Sequence, residues 1–154
     1  MSSTAPPRRD YPDRPIVGVG AVIIRENRVV LVKRGSPPLQ GHWSLPGGVV
    51  ELGETLRAAA EREACEETGL MVKAGEVLEV LDRIIPGENN VPQYHYVLID
   101  FLCTVTGGEL RAGGDAADVC WAGESDLAQF KLEQPALAVI NKALLTAKDA
   151  KDAK

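Results

Sequence analysis

Two β-branched runs open the patterned part of the chain. IVGVGAVIIR (16–25) and RVVLVKR (28–34) are separated by Glu26-Asn27, which predicts two strands joined by a tight turn. The stretch 35–53 is punctuated by Pro37-Pro38, Gly41, Pro46, Gly47 and Gly48 and reads as loop. From Thr55 to Thr68 there is no Gly or Pro, Ala, Glu and Arg dominate, and Gly69 stands at the stop; this predicts a helix. Further strands are expected near 71–85, at YHYVLIDFLCTV (94–105) and at DVCWA (118–122), with Gly107-Gly108 and Gly113-Gly114 marking connections. A last helix is expected from about Pro135 to Ala147, because Ala136, Val139, Ile140, Ala143 and Leu144 recur at helical spacing behind a proline suited to a first turn. No internal repeat is present. Strands with a helix between them and another at the end indicate an α/β protein, a mixed sheet with helices on its faces.

The ends lack such patterning. Residues 1–15 hold four prolines among small and charged residues and read as a flexible N-terminal arm; 16–147 form one domain, and 148–154 a low-complexity tail that continues the last helix as frayed turns. At 154 residues, with 45% apolar and 25% charged residues, the composition is that of one globular domain rather than a disordered chain.

A net charge of −5 argues against a nucleic-acid backbone as partner and leaves a small anionic substrate open if a metal supplies local positive charge. Cys65, Cys103 and Cys120 are an odd set without zinc or CxxC spacing, so reduced, packing cysteines are expected. The first residues lack an apolar signal segment, and no apolar run approaches the ~20 residues of a membrane span, so a cytoplasmic protein with no membrane partner is expected.

The first helix carries the candidate chemistry. On a wheel of about 100° per residue, Leu56, Ala59 and Ala60 share one side with Glu63 and Glu67, and Glu66 lies at its edge. Glu-rich helices usually turn such a face to water, but here the apolar neighbours oppose that. Acids on an inward face are costly to desolvate and repel one another, so they need a proton or a cation to stay. A divalent cation is the simplest solution, and oxygen-only ligands select Mg²⁺, Mn²⁺ or Ca²⁺ over zinc. Glu63, Glu66 and Glu67 stand at i, i+3 and i+4, which brings them onto one helical surface. Arg62, one turn from Glu66, suits either the orienting of a carboxylate or an ordinary helix salt bridge.

GVVELGETLRAAAEREACEETGL (48–70) resembles the Nudix box, Gly-x5-Glu-x7-Arg-Glu-U-x-Glu-Glu-x-Gly-U with U aliphatic. Gly48, Glu54, Arg62, Glu63, Glu66, Glu67 and Gly69 match every fixed position; Ala64 is smaller than the residue usual at the first U, and Leu70 fits the second. WSLPGG (43–48) resembles the approach to the box, and the order of elements fits the Nudix fold over roughly 16–146. The resemblance implies an α/β/α sandwich around a mixed β-sheet. It also implies Mg²⁺ or Mn²⁺ bound by Glu63, Glu66, Glu67 and the Gly47 carbonyl, with Glu54 and Arg62 supporting the helix. The implied reaction is attack of water on a phosphorus of an X-linked nucleoside diphosphate, releasing a nucleoside monophosphate and phosphorylated X. Family members differ in the general base: a box glutamate, here Glu63, or an acid on a downstream loop. Asp115, six residues before Trp121, is the loop candidate and Asp118 its alternative, either of which also reads as a turn-forming aspartate.

Pro86, 16 residues beyond the box, resembles a mark of the ADP-ribose pyrophosphatase group and reads equally as half of a Pro-Gly turn. ADP-ribose, cut to AMP and ribose 5-phosphate, is therefore the expected substrate. A MutT-like nucleoside triphosphate pyrophosphohydrolase is the alternative enzyme. A non-catalytic, nucleotide-sugar-binding Nudix-like domain is the alternative of another class, and the intact acids argue against it. Tyr94, Tyr96, Phe101 and Trp121 are candidate platforms for a base; alternation puts Tyr94 and Tyr96 on one strand face and His95 on the other, and core packing is expected of Phe101 and Trp121. Arg34 and Lys33 are placed to meet phosphate, and His42 and His95 are expected to be structural. A homodimer is compatible with the resemblance.

Overall fold

The computed structural model describes residues 8–37 and 39–152; residues 1–7 of the expected arm, Pro38 of the expected loop and residues 153–154 of the tail lie outside the described residues. Seven strands are present among the described residues: β1 (Ile16–Arg25), β2 (Arg28–Arg34), β3 (Trp43–Ser44), β4 (Gly47–Val49), β5 (Leu70–Pro86), β6 (Pro92–Gly108) and β7 (Ala116–Gly123). The helices α1 (Leu56–Thr68) and α2 (Gln134–Asp152) accompany them. The β1–β2 turn has Glu26 at φ 53 and Asn27 at φ 63, the two left-handed residues of a type I′ hairpin, whose twist suits the flanking strands.

β1 organises the sheet. It runs parallel to β6 from the Ile16–Tyr96 pair to the Ile23–Cys103 pair, antiparallel to β4 over Gly18–Gly20, and antiparallel to β2 at its far end. β5 closes one edge against β6, while β3 and β7 pair with β2, so the sheet is mixed, as expected. Alternation along β1 divides the core. Val19, Ala21 and Ile23 meet Ala59, Ala60 and Ala64 of α1, whereas Val22 joins Val29, Leu31 and the Val139, Ile140, Ala143 and Leu144 stripe of α2. Each fully buried aliphatic side chain contributes roughly 1.5–3 kcal/mol, which locks both helices to opposite faces and gives the expected α/β/α sandwich.

Several expectations need correction. The 35–53 stretch is not all loop: β3 and β4 form there by pairing with β2 and β1. α2 runs to Asp152 rather than ending near Ala147, because Ala and Lys sustain a helix past the turns that pack. A 3₁₀ segment, Glu124–Phe130, links β7 to the last helix and buries Leu127. Leu56 is 38% exposed, since it opens α1 before the helix reaches the sheet. Cys65 is exposed rather than packed, and all three cysteines are free. Residues 8–15 of the expected arm touch the domain: the Tyr11 amide donates to the Gln93 carbonyl at 2.8 Å. Among the described residues, no helix is long and apolar enough to cross a membrane.

Candidate active site

Local chemistry delimits α1. The Thr55 hydroxyl accepts from the Ala58 amide at 3.1 Å, and Gly69, left-handed at φ 75, donates its amide to the Cys65 carbonyl at 3.0 Å. With the three alanines on the sheet, Glu63 and Glu67 follow on the same side and lie half-buried against the Gly47-Gly48 strand. A Cβ at Gly48 would collide with the Glu63 carboxylate, so this glycine makes room for the acid.

Arg62 ties the helix to the loop before it. Its Nε and Nη2 donate to Glu54 Oε2 and Oε1 at 2.7 and 3.0 Å, and Nη2 also donates to the Val49 carbonyl at 3.1 Å. Nη1 donates to Glu63 Oε1 at 2.8 Å and reaches Glu66 Oε2 at 3.3 Å. The partner met by two guanidinium nitrogens is thus Glu54, in the loop, whereas the helix neighbour Glu66 accepts from Nη1 alone, at 3.4 and 3.3 Å to its two oxygens. This fork holds the Glu54 carboxyl below its ordinary range, and the same bond raises the guanidinium further above its own.

Burial raises Glu63, against the Arg62 hydrogen bond that lowers it. Glu67 is pushed up to about 8 by burial and then by the charge on Glu63, with the Gly47 backbone hydrogen bond opposing the rise. Glu63 and Glu67 are hydrogen-bonded to each other, which requires one shared proton, and Glu67 is its holder.

Glu66 is exposed, and Arg62 Nη1 bonds both it and Glu63. Among the described residues, no three acidic, histidine or cysteine side chains converge as a ready cation cage. The Glu63–Glu67 pair nevertheless fits a divalent cation chemically. Its donors are all oxygen, it is desolvated, and a cation in place of the shared proton would satisfy both carboxylates.

The acids line a cleft of about 510 Å³, a size suited to a nucleotide-like molecule. Arg34, Lys33, His42, Tyr96 and Asp115 also line it. Asp115 is held there by the Gly35 amide, which donates to its carbonyl at 2.8 Å. Asp118 lies outside the lining, on β7 opposite Lys33, with its carboxylate accepting from the Val119 amide at 2.8 Å. Tyr94 stacks on Tyr96 with centroids 6.4 Å apart and does not itself line the cleft. Pro86 is exposed at the end of β5 and is not among the residues lining the cleft. His95 is likewise outside the lining. Phe101 is fully buried, and Trp121 packs beside the core under the Arg25 guanidinium at 4.7 Å.

Further cleft residues escaped the sequence reading. Trp43 lines the cleft and packs edge-on against Phe130 at 5.2 Å. Asp100, 7% exposed, is pushed up to about 6 by burial and then by Glu79; its signal was an acid inside the apolar run YVLIDFLC. Arg83 faces the cleft from β5, and Arg9 reaches it from the segment before β1. Neither has a local sequence signal.

The NUDIX domain model matches residues 14–143. The chain is 41% identical over 104 residues to an ADP-ribose pyrophosphatase of Methanocaldococcus jannaschii, covering 68% of this chain and 59% of that protein, so it spans well under two thirds of that relative. It is 39% identical over 110 residues to a Mycobacterium tuberculosis protein provisionally named 8-oxo-dGTP diphosphatase 2, covering 71% of this chain and 74% of that one. Among solved structures, a MutT NUDIX hydrolase from Burkholderia pseudomallei superposes with a TM-score of 0.66 at 32% identity, covering 86% of this chain and 97% of that one. The matched span contains the whole of the acidic helix and its Gly47-Gly48 cradle, and the chain belongs to the Nudix family.

Proposed function

We propose that this chain is a divalent-metal-dependent hydrolase that cleaves the diphosphate linkage of a nucleoside diphosphate derivative, with ADP-ribose as substrate and AMP and ribose 5-phosphate as products. The observation that carries this reading is the half-buried, oxygen-only Glu63–Glu67 pair at the wall of a nucleotide-sized cleft. The name of the M. jannaschii relative supports the choice of ADP-ribose.

Mg²⁺ or Mn²⁺, held by Glu63, Glu66, Glu67 and the Gly47 carbonyl, would neutralise the diphosphate and lower the pKa of the attacking water. The chain's own residues do the rest. Arg62 locks Glu54 and Glu63, so the acids meet the substrate in one orientation rather than many. Asp115, on the lip of the cleft, is the base that takes the water's proton, with Glu63 as the alternative. Arg34 meets a phosphate, and Tyr96 and Trp43 offer ring faces to the base or sugar.

A second reading, a MutT-like triphosphate pyrophosphohydrolase, draws support from the M. tuberculosis relative. Products separate the two. With Mg²⁺ and equal concentrations of ADP-ribose and 8-oxo-dGTP, chromatography is expected to show faster formation of AMP and ribose 5-phosphate. Faster release of pyrophosphate from the triphosphate would replace the first reading with the second.

A further inference from the structure

One end of the cleft is built unlike the acidic helix. Tyr96 and Arg83 are directly paired residues of β6 and β5, which puts their side chains on one sheet face. Both line the cleft, and Arg9 joins them from the segment before β1. Arg83 Nη1 is paired with Glu133 at 2.6 Å, which fixes the guanidinium and leaves it further donors. Burial raises the Tyr96 phenol, and the charges of Arg9, Arg34 and Arg83 act against that rise. A chain with a net charge of −5 thus brings Arg9 and Arg83 to the cleft wall beside Tyr96, with Glu133 and Lys131 lining it as well.

The segment that follows Arg9 is held by a built contact. The Tyr11 amide donates to the Gln93 carbonyl at 2.8 Å, the Glu88 amide donates to the Tyr11 hydroxyl at 3.2 Å, and Gln93 Nε2 donates to Asp10 at 3.1 Å. Tyr11 is left-handed at φ 50, and its ring rests on Gly87, where a Cβ would come within 2.7 Å. These bonds anchor the two residues that follow Arg9 to the β5–β6 hairpin, beside the strand that carries Tyr96.

The spacing separates this cluster from the diphosphate. Gly48, which faces Glu63, is level with Val19 and hence with Ile99. Tyr96 lies three residues, ~10 Å, further along β6 and two strands across. Adjacent phosphorus atoms of a diphosphate share one bridging oxygen and cannot span that distance.

We propose that Tyr96, Arg83 and Arg9 form a second anion subsite, which takes a phosphate monoester carried on a sugar of the substrate, apart from the diphosphate. The proposal rests on reading the site as one for nucleoside diphosphate derivatives. Arg83 and Arg9 supply charge-assisted donors, and Tyr11 is a positioning residue for Arg9.

The test compares binding of ADP-ribose, ADP-ribose 2′-phosphate and ADP-ribose 1″-phosphate by calorimetry in EDTA, where turnover does not intrude. One of the phosphorylated ligands is expected to bind about tenfold tighter than ADP-ribose, the two arms telling which sugar carries the phosphate. Arg9→Gln, Arg83→Gln and Tyr11→Ala should each shrink that gain while leaving ADP-ribose affinity within about twofold. Arg9→Gln lies outside the sheet and keeps the test valid if Arg83→Gln misfolds. Equal affinities for all three ligands, or no measurable binding of either phosphorylated one, would overturn the subsite. ADP-ribose hydrolysis with Mg²⁺ is followed separately: cleavage without the affinity gain discards the subsite alone, and the gain without cleavage discards the hydrolase reading alone.

Discussion

Replacing Glu67 by Gln should change how stability depends on pH. Glu67 is raised from 4.5 to about 8, chiefly by burial and then by the charge on Glu63. Between those values the folded chain holds a proton that the unfolded chain has released, so the unfolding free energy falls as pH rises, and the stabilisation present below 4.5 is gone above 8. At about 1.4 kcal/mol per pH unit the ceiling of this loss is about 5 kcal/mol. Glu63 shares the proton and water enters the cleft, so roughly half, about 2–3 kcal/mol, is the expected size. Glu67→Gln carries no titrating proton and lacks this slope. Urea unfolding in EDTA at pH 5, 6.5 and 8.5 should therefore show the variant gaining about 2–3 kcal/mol on the wild type across the series. Added Mg²⁺ at pH 8.5 should stabilise the wild type more than the variant, by mass action on the folded state. Parallel pH profiles for the two proteins would refute the claim that this pair is desolvated and proton-sharing.

Three further outcomes follow from the geometry. Gly48→Ala forces the Glu63 carboxylate aside, so kcat should fall by about tenfold to a hundredfold while far-UV circular dichroism stays native; an unchanged kcat would show that this carboxylate position does not matter. Arg62→Lys loses the two-point bond to Glu54 and should cost about 1–2 kcal/mol in urea unfolding at neutral pH. Because Glu54 is lowered from 4.5, that difference should be full above pH 4.5 and shrink as pH falls through the folded value; a constant difference down to pH 3 would contradict it. Asp115→Asn should lower kcat by about a hundredfold and Asp118→Asn by less than about twofold, since only Asp115 lines the cleft; comparable losses would reject Asp115 as the base.

The parts of the fold that were legible in the sequence are those whose cause is local. Thr55 and Gly69 mark α1 because a cap and a left-handed stop act within one turn, and the alternation of β1 is visible because both of its faces are buried. β3 and β4 were not, because two or three residues carry no periodicity and become strands only by pairing with β2 and β1. Leu56 was misjudged because a wheel treats every turn alike, whereas the first residue of α1 precedes the packed contact. At the site, the acids and Arg62 stand in one 23-residue segment and could be read together. That Glu54, and not Glu66, meets two guanidinium nitrogens of Arg62 depends on how the 49–54 loop folds back, which no helical spacing encodes. Arg9, Arg83 and Tyr96 meet only through the β1–β6–β5 register and a tether formed by Tyr11, so their proximity is a property of the tertiary structure alone.

The most direct measurement is the initial rate of ADP-ribose hydrolysis against free Mg²⁺, for the wild type and Glu67→Gln, with products identified by chromatography. A saturable metal dependence, no AMP or ribose 5-phosphate in EDTA, and a loss of at least about a hundredfold in the variant are expected. Turnover that persists in EDTA, or equal rates for the two proteins, would contradict a metal-dependent hydrolase built on this pair.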